Sequence, residues 1–154
     1  MPTKQLMDFL DQKNIKYVVI NHSSAYTASE IAASAHIKGQ ELAKTVMVKI
    51  DGKMNMVVLP AKYRINFDLL KKHTGSDAIE LADEDEFTAL FPDCLTGAMP
   101  PFGNIYGMKT FLDKTLTYDE EIAFNAGNHS QLIRLGFKDF LELVKPDISN
   151  FAAA

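Results

Sequence analysis

Hydrophobic positions along this chain change period repeatedly, from three-to-four residues to two and back, which predicts helices and strands in alternation. Leu6, Phe9 and Leu10 share one helical face over residues 3–13, and Tyr17-Val18-Val19-Ile20 follows as a short strand. Thr27-Ala28-Ser29-Glu30 has the spacing of a capping box, predicting a helix to about residue 36. Two apolar runs, Thr45 to Ile50 and Met54 to Leu59, flank Asp51-Gly52, and the positive φ angles that this pair accepts predict a tight hairpin.

Asn66 or Asp68 can open a helix that runs through His73 and stops at Thr74-Gly75, after which Ala78 to Leu81 reads as a buried strand. Asp83 caps a further helix to about Leu90. Ile105 to Leu112, Leu116 to Tyr118, Ile122 to Asn125 and Leu132 to Leu135 are strand-like runs separated by polar turns. Phe137 to Val144 forms a closing helix that Pro146 ends, and Asn150 to Ala154 reads as a loose tail. About seven strands and four or five helices predict a single α+β domain over residues 1–154, a curved, largely antiparallel mixed sheet flanked by helices.

A chain of 154 residues can bury about two-thirds of its unfolded surface, enough for a substantial core. No stretch is long enough to span a bilayer, and the charged start MPTKQLMDFLDQKNIKY lacks the apolar segment of a secretion signal, so a cytoplasmic location with no membrane partner is expected. The single cysteine, Cys94, excludes an internal disulfide and is expected to be a bland thiol. A net charge of −4 denies the chain the basic footprint of a protein that coats DNA. Any nucleic-acid contact must be local, at Lys44, the Lys62-Tyr63-Arg64 cluster or Lys71-Lys72, each of which can equally be a solvated surface charge.

Gly97-Ala98-Met99-Pro100-Pro101-Phe102-Gly103 holds two glycines and two prolines in seven residues. Such a loop can aim the N–H groups of Gly97, Ala98 and Met99 at a developing oxyanion, although clusters of this kind more often mark a rigid turn. There is no G-x-S-x-G elbow, P-loop or H-E-x-x-H, and no close Cys/His spacing, so neither a metal nor a cofactor is expected. Of His22, His36, His73 and His129, the first and last stand at strand ends beside small polar residues, where a site can lie.

Several segments taken together resemble the YbaK/ProX family, which includes the editing domain of bacterial prolyl-tRNA synthetases. They are His22-Ser23-Ser24-Ala25-Tyr26-Thr27 with Glu30, Ala43-Lys44-Thr45-Val46, Val58-Leu59-Pro60, Gly97 through Gly103, Phe124-Asn125-Ala126-Gly127 and Ile133-Arg134-Leu135. The resemblance runs from about residue 5 to residue 146 and implies trans-editing: hydrolysis of the ester that joins a wrong amino acid to a tRNA 3′ end. Its central lysine matches Lys44 and its G-x-x-x-P loop matches Gly97 to Pro101, which implies catalytic roles for Lys44 and for the backbone of Gly97, Ala98 and Met99. By position it also implies substrate contacts for His22, Tyr26, Thr27, Thr45, Pro101, Phe102, Gly103, Gly127 and His129.

The chemistry is consistent with these residues, because an aminoacyl ester is already activated and water, helped by the ribose hydroxyl, needs no side-chain nucleophile. Lys44 would hold a phosphate or the ribose as a point charge, its alternative role being a charge that guards a strand edge. The implied partner is the acceptor end of an aminoacyl-tRNA, with room for an associated synthetase. Two departures matter. Ile20 and Leu132 stand where the cysteinyl-tRNA branch carries a tyrosine and an aspartate, which disfavours cysteine as the amino acid removed. Pro100 takes one donor out of the loop, so oxyanion contacts must come from Gly97 to Met99 or from Phe102 and Gly103. A binding module that has lost catalysis and a hydrolase of small esters remain the alternatives at this level.

Overall fold

A computed structural model describes residues 2–23, Glu30 and 41–154. The predicted helix after Thr27 lies, Glu30 apart, outside the described residues, as do Tyr26, Thr27 and His36. Helix α1 (Lys4–Gln12) forms where the sequence places Leu6 and Leu10 one turn apart, and both are fully buried. Strand β1 (Tyr17–Asn21) follows. Strands β2 (Ala43–Ile50) and β3 (Lys53–Pro60) pair antiparallel through a two-residue turn in which Asp51 (φ 52°) and Gly52 (φ 79°) both take positive φ.

After β4 (Arg64–Ile65), α2 (Phe67–Thr74) is capped by Asn66 rather than Asp68: the Leu69 N–H donates to Asn66 Oδ1 at 3.1 Å, and Gly75 ends the helix in the left-handed region. Strand β5 (Ile79–Leu81) leads to α3 (Glu84–Phe87), where the Asp83 N–H donates to Glu86 Oε1 at 2.9 Å, and a 3₁₀ turn over Thr88–Leu90 completes the segment. Then come β6 (Thr110–Asp113), β7 (Glu121–Asn125), β8 (Gln131–Gly136), α4 (Phe137–Val144), β9 (Asp147–Ser149) and β10 (Ala152–Ala153).

The described strands make three sheets, of order β5-β2-β3-β6-β9, β1-β8-β7 and β10-β4. Pairing is antiparallel except at β3/β6 and β6/β9. A parallel bridge between Leu42 and Ala123 joins the start of β2 to β7. The largest core cluster fills the space between one face of the β2/β3 hairpin (Ala43, Met47, Met56, Val58) and the three-stranded sheet (Ile122, Phe124, Ile133, Leu135). Phe102 is its hub, fully buried with ring centroids 5.4 Å from both Phe124 and Phe140 in edge-on contact. Val48, Val57 and Leu59 on the opposite hairpin face pack with Leu70 of α2, Phe111 and Phe151. No described helix is long and apolar enough to cross a membrane.

Four local expectations are corrected. Ile105 to Leu112 is strand only from Thr110, because Gly103–Tyr106 winds into a 3₁₀ helix closed by Gly107 at φ 72°. Leu116 to Tyr118 belongs to a 3₁₀ turn (Lys114–Tyr118) that Asp113 caps by accepting from the Thr115 N–H at 3.1 Å. Ala78 to Leu81 is an edge, with Leu81 58% exposed, since among the described strands β5 pairs only with β2. The tail is anchored: Phe151 is fully buried, the N–H groups of Phe151 and Ala152 both donate to Asp113 Oδ1 at 2.9 Å, and β10 pairs with β4.

Candidate active site

Leu95 to Ala98 form a turn closed by the Ala98 N–H donating to the Leu95 carbonyl at 3.0 Å. Gly97, at its third position, has φ +87°, the pattern of a type II turn, which favours glycine there. Both ends of the turn are tied to Gly127: the Leu95 N–H donates to the Gly127 carbonyl at 2.8 Å, and the Gly127 N–H donates to the Ala98 carbonyl at 2.9 Å. Gly127 (φ +97°) lies two residues beyond the end of β7, so the loop is docked on the end of the three-stranded sheet.

The same sheet end carries both histidines singled out from sequence. His129 Nε2 lies 2.9 Å from the Thr96 carbonyl oxygen, which only accepts, so Nε2 carries the proton and Nδ1 of the neutral ring is left as an acceptor. Its ring borders Gly97, with Cε1 3.5 Å from where a Cβ on that glycine would stand. The His22 N–H donates to the Ser130 carbonyl at 2.9 Å, and its Nδ1 contacts the Ser23 carbonyl at 3.0 Å. His22 Nε2 is buried with no hydrogen-bond partner among the described residues.

The candidate backbone donors divide sharply. The Ala98 N–H closes the turn, the Phe102 N–H is taken by the Pro100 carbonyl at 2.8 Å, and the Gly103 N–H donates to Thr110 Oγ1 at 3.1 Å. A Cβ on Gly103 would collide with that same hydroxyl, so this glycine serves packing. Pro101 and Phe102 are buried. The Gly97 N–H meets only the Met99 thioether, a weak acceptor, at 3.3 Å, and the Met99 N–H has no hydrogen-bond partner among the described residues. The donor set expected from sequence therefore narrows to Gly97 and Met99.

Lys44 lies near the start of β2, on the face shared with Val46 and Val48, opposite the face that receives Met99 and Phe102. The described hydrogen bonds and ion pairs do not join it to the loop. The bridge of Leu42 to Ala123 nevertheless brings this strand start beside β7, whose last residue, Asn125, is two residues from Gly127. Burial lowers the Lys44 pKa and the Arg64 guanidinium lowers it further. Two cations near each other, with no carboxylate paired to Lys44 among the described residues, favour an anion in the space they share. Thr45 is half-buried opposite Val58. The basic cluster noted in sequence thus contributes Arg64, whose nearness to Lys44 depends on β4 and had no local signal.

Comparison with known proteins agrees with this architecture. The model of the aminoacyl-tRNA editing domain matches residues 22–143. The multifunctional Ser/Thr-tRNA deacylase ProXp-y of Escherichia coli K12 is 29% identical over 156 residues, covering 96% of this chain and 91% of that protein. A proline–tRNA ligase of Staphylococcus saprophyticus is 37% identical over 71 residues, 46% of this chain and 12% of the ligase. A solved structure described as a candidate trans-editing enzyme for prolyl tRNA synthetase superposes with a TM-score of 0.84 at 18% identity, covering 99% of this chain and 97% of the other. The fold is shared with that structure, and the chain belongs to the aminoacyl-tRNA editing domain family, a family of aminoacyl-tRNA deacylases.

Proposed function

We propose that this chain, acting as a single domain, is a trans-editing hydrolase that cleaves the ester bond of mischarged aminoacyl-tRNA, its substrate held between Lys44 and the Gly97 to Pro101 loop. The observation that carries the reading is the state of the Thr96–Gly97 peptide. Its carbonyl is occupied by His129, while its N–H is spent only on a thioether that an oxyanion outcompetes. A hydrogen bond to that carbonyl also polarises the peptide and strengthens the opposite N–H as a donor.

In the proposed step the ester carbonyl oxygen faces the N–H groups of Gly97 and Met99. Water attacks the carbonyl carbon, the bond from that carbon to the ribose oxygen breaks, and the proton lost by water ends on the ribose oxygen, with the neighbouring ribose hydroxyl assisting. Free amino acid and intact tRNA are released. Lys44, with Arg64 nearby, holds a phosphate of the tRNA end, and His22 Nε2 accepts from a ribose hydroxyl. The protein works in the cytoplasm, and its similarity to a stretch of a proline–tRNA ligase supports action beside a synthetase.

The test is a panel of mischarged tRNAs, with release of each amino acid followed over time. Seryl and threonyl esters come first, since the E. coli relative is a Ser/Thr-tRNA deacylase. Hydrolysis of at least one member is expected. Tight tRNA-end binding with no hydrolysis in the panel would establish a binding module instead, and hydrolysis of small esters with no preference for tRNA would establish a metabolite esterase.

A further inference from the structure

Against Gly127, which is bonded to both ends of the Gly97 turn, lies a contact that the proposed chemistry does not use. Thr3, only 5% exposed, packs against Gly127: a Cβ on that glycine would stand 3.1 Å from Thr3 Cβ and 3.2 Å from Cγ2. The Thr3 N–H donates to the Ala126 carbonyl at 2.9 Å, and its hydroxyl donates to Asp93 Oδ2. The other carboxylate oxygen, Asp93 Oδ1, receives the Tyr106 hydroxyl at 3.4 Å and the Cys94 thiol at 3.5 Å. Asp93 thus ties the residue preceding α1 to the segment that enters the turn two residues later.

We propose that Thr3 and Asp93 are positioning residues for the oxyanion donors, clamping Gly127 from behind so that its two backbone hydrogen bonds hold Leu95 and Ala98 in register. This rests on the deacylase reading of the Gly97 loop. The physical argument is geometric. Among the described residues Gly127 alone is bonded to both ends of the turn through its backbone, and its positive φ leaves the face without a Cβ turned to Thr3. Thr3 fills that face, and a free threonine side chain has rotamers that would leave it. The bond to Asp93 selects one. If it is lost, Gly127 gains room to move, and donors that must lie about 2.7–3.1 Å from the oxyanion lose their placement.

Three variants separate positioning from plain stability. Thr3→Val keeps the shape against Gly127 and removes the hydroxyl, Asp93→Ala removes the acceptor, and Thr3→Ser keeps the hydroxyl. Single-turnover hydrolysis at saturating enzyme, tRNA affinity and melting temperature are measured on each, with the amide signals of Gly97 and Gly127 followed by NMR. A small misplacement of reacting groups can cost up to about 100-fold. Thr3→Val and Asp93→Ala should each slow hydrolysis about tenfold at unchanged tRNA affinity and shift both amide signals, at temperatures where each variant is still folded. Thr3→Ser should recover the rate to within about twofold. Wild-type rates in Thr3→Val and Asp93→Ala, with only the melting temperature lowered, would overturn the clamp and leave the deacylase reading standing. A wild-type protein that hydrolyses no member of the panel overturns the deacylase reading, and the clamp's catalytic role falls with it.

Discussion

His129 Nε2 donates to the Thr96 carbonyl oxygen at 2.9 Å, so one side chain fixes the peptide whose other end is the Gly97 N–H. Because Gly97 has φ +87°, that peptide has the orientation a type II turn imposes, and the ring of His129 covers it from the side where a Cβ would project. That peptide is held from two directions.

Gly97→Val tests this directly. A β-branched residue is strained at positive φ, and its side chain would grow toward the imidazole, so the turn must change and the donors with it. Loss of one preorganised donor costs about 10²–10³ in rate, while affinity for uncharged tRNA should hold because Lys44 is untouched. Single-turnover rates and tRNA binding on the same preparation, after circular dichroism has shown a retained fold, are the measurements. Equal losses in both would leave the loop a purely structural role.

Lys44→Ala should leave the fold intact and cost about 10- to 100-fold in hydrolysis, the value of one charge-assisted contact of about 1.5–3 kcal/mol. Arg64→Ala should weaken tRNA binding less. Each loss should shrink as salt is raised, because a phosphate contact releases counterions, and removing one should reduce the salt slope by about one. A slope identical to wild type in Lys44→Ala would remove phosphate from its role.

Cys94 should be slow toward alkylating agents at neutral pH. Burial is the main cause of a thiol pKa pushed up to about 11, and the Asp93 charge adds to it, although the Tyr106 hydroxyl works in the opposite direction. Native protein treated with iodoacetamide at pH 7.5 should label far more slowly than urea-unfolded protein. Rapid native labelling with loss of hydrolysis would point to a thiol mechanism.

Asp147 makes stability depend on pH at the acid end. Burial raises its pKa, but the hydrogen bonds from His73 Nε2 (2.8 Å to Oδ1) and Lys109 Nζ (3.2 Å to Oδ2) outweigh that, and the folded-state value lies below the ordinary one. A depressed carboxylate pKa contributes stability that is present above the unfolded value, near 3.9 by the usual reference, and is lost as pH falls through the lower folded value. The stability difference between wild type and Asp147→Asn, from urea unfolding, should therefore be full at pH 6 and shrink below about pH 4. A constant difference down to pH 2 would count against the assignment.

Ile20 and Leu132, the two departures from the cysteinyl-tRNA branch, are direct cross-strand partners in β1 and β8 and pack with Leu42 and Ala123 in one apolar cluster. Leu132 is 1% exposed, so Leu132→Asp buries an unpaired carboxylate and should cost several kcal/mol, about 2–5 of which Leu132→Ala already loses by leaving a cavity. Urea melts of the two variants give the comparison. An Asp variant as stable as the Ala variant would mean that the aspartate finds a partner.

Local chemistry made much of this protein legible in its sequence. Asp51-Gly52 has the two residues a tight hairpin turn demands, Asn66 has the oxygen that caps α2, and Leu6 and Leu10 have the spacing of a buried helical face, so each element follows from neighbours within a few residues. The mixed α+β class follows from their alternation, and the ordered motifs carried the family. What tertiary structure alone decided depends on partners far along the chain. Phe151 becomes core because Asp113, 38 residues earlier, accepts its N–H and that of Ala152, and nothing in Asn150 to Ala154 announces such an acceptor. Ile105 fails to form strand because Phe102 and Gly103 are drawn into the core and the chain must coil to follow them. At the site, sequence could offer five candidate donors. Only the folded chain assigns the N–H groups of Ala98, Phe102 and Gly103 to internal acceptors and leaves those of Gly97 and Met99 without a strong acceptor among the described residues, because hydrogen-bond satisfaction is a property of the whole fold.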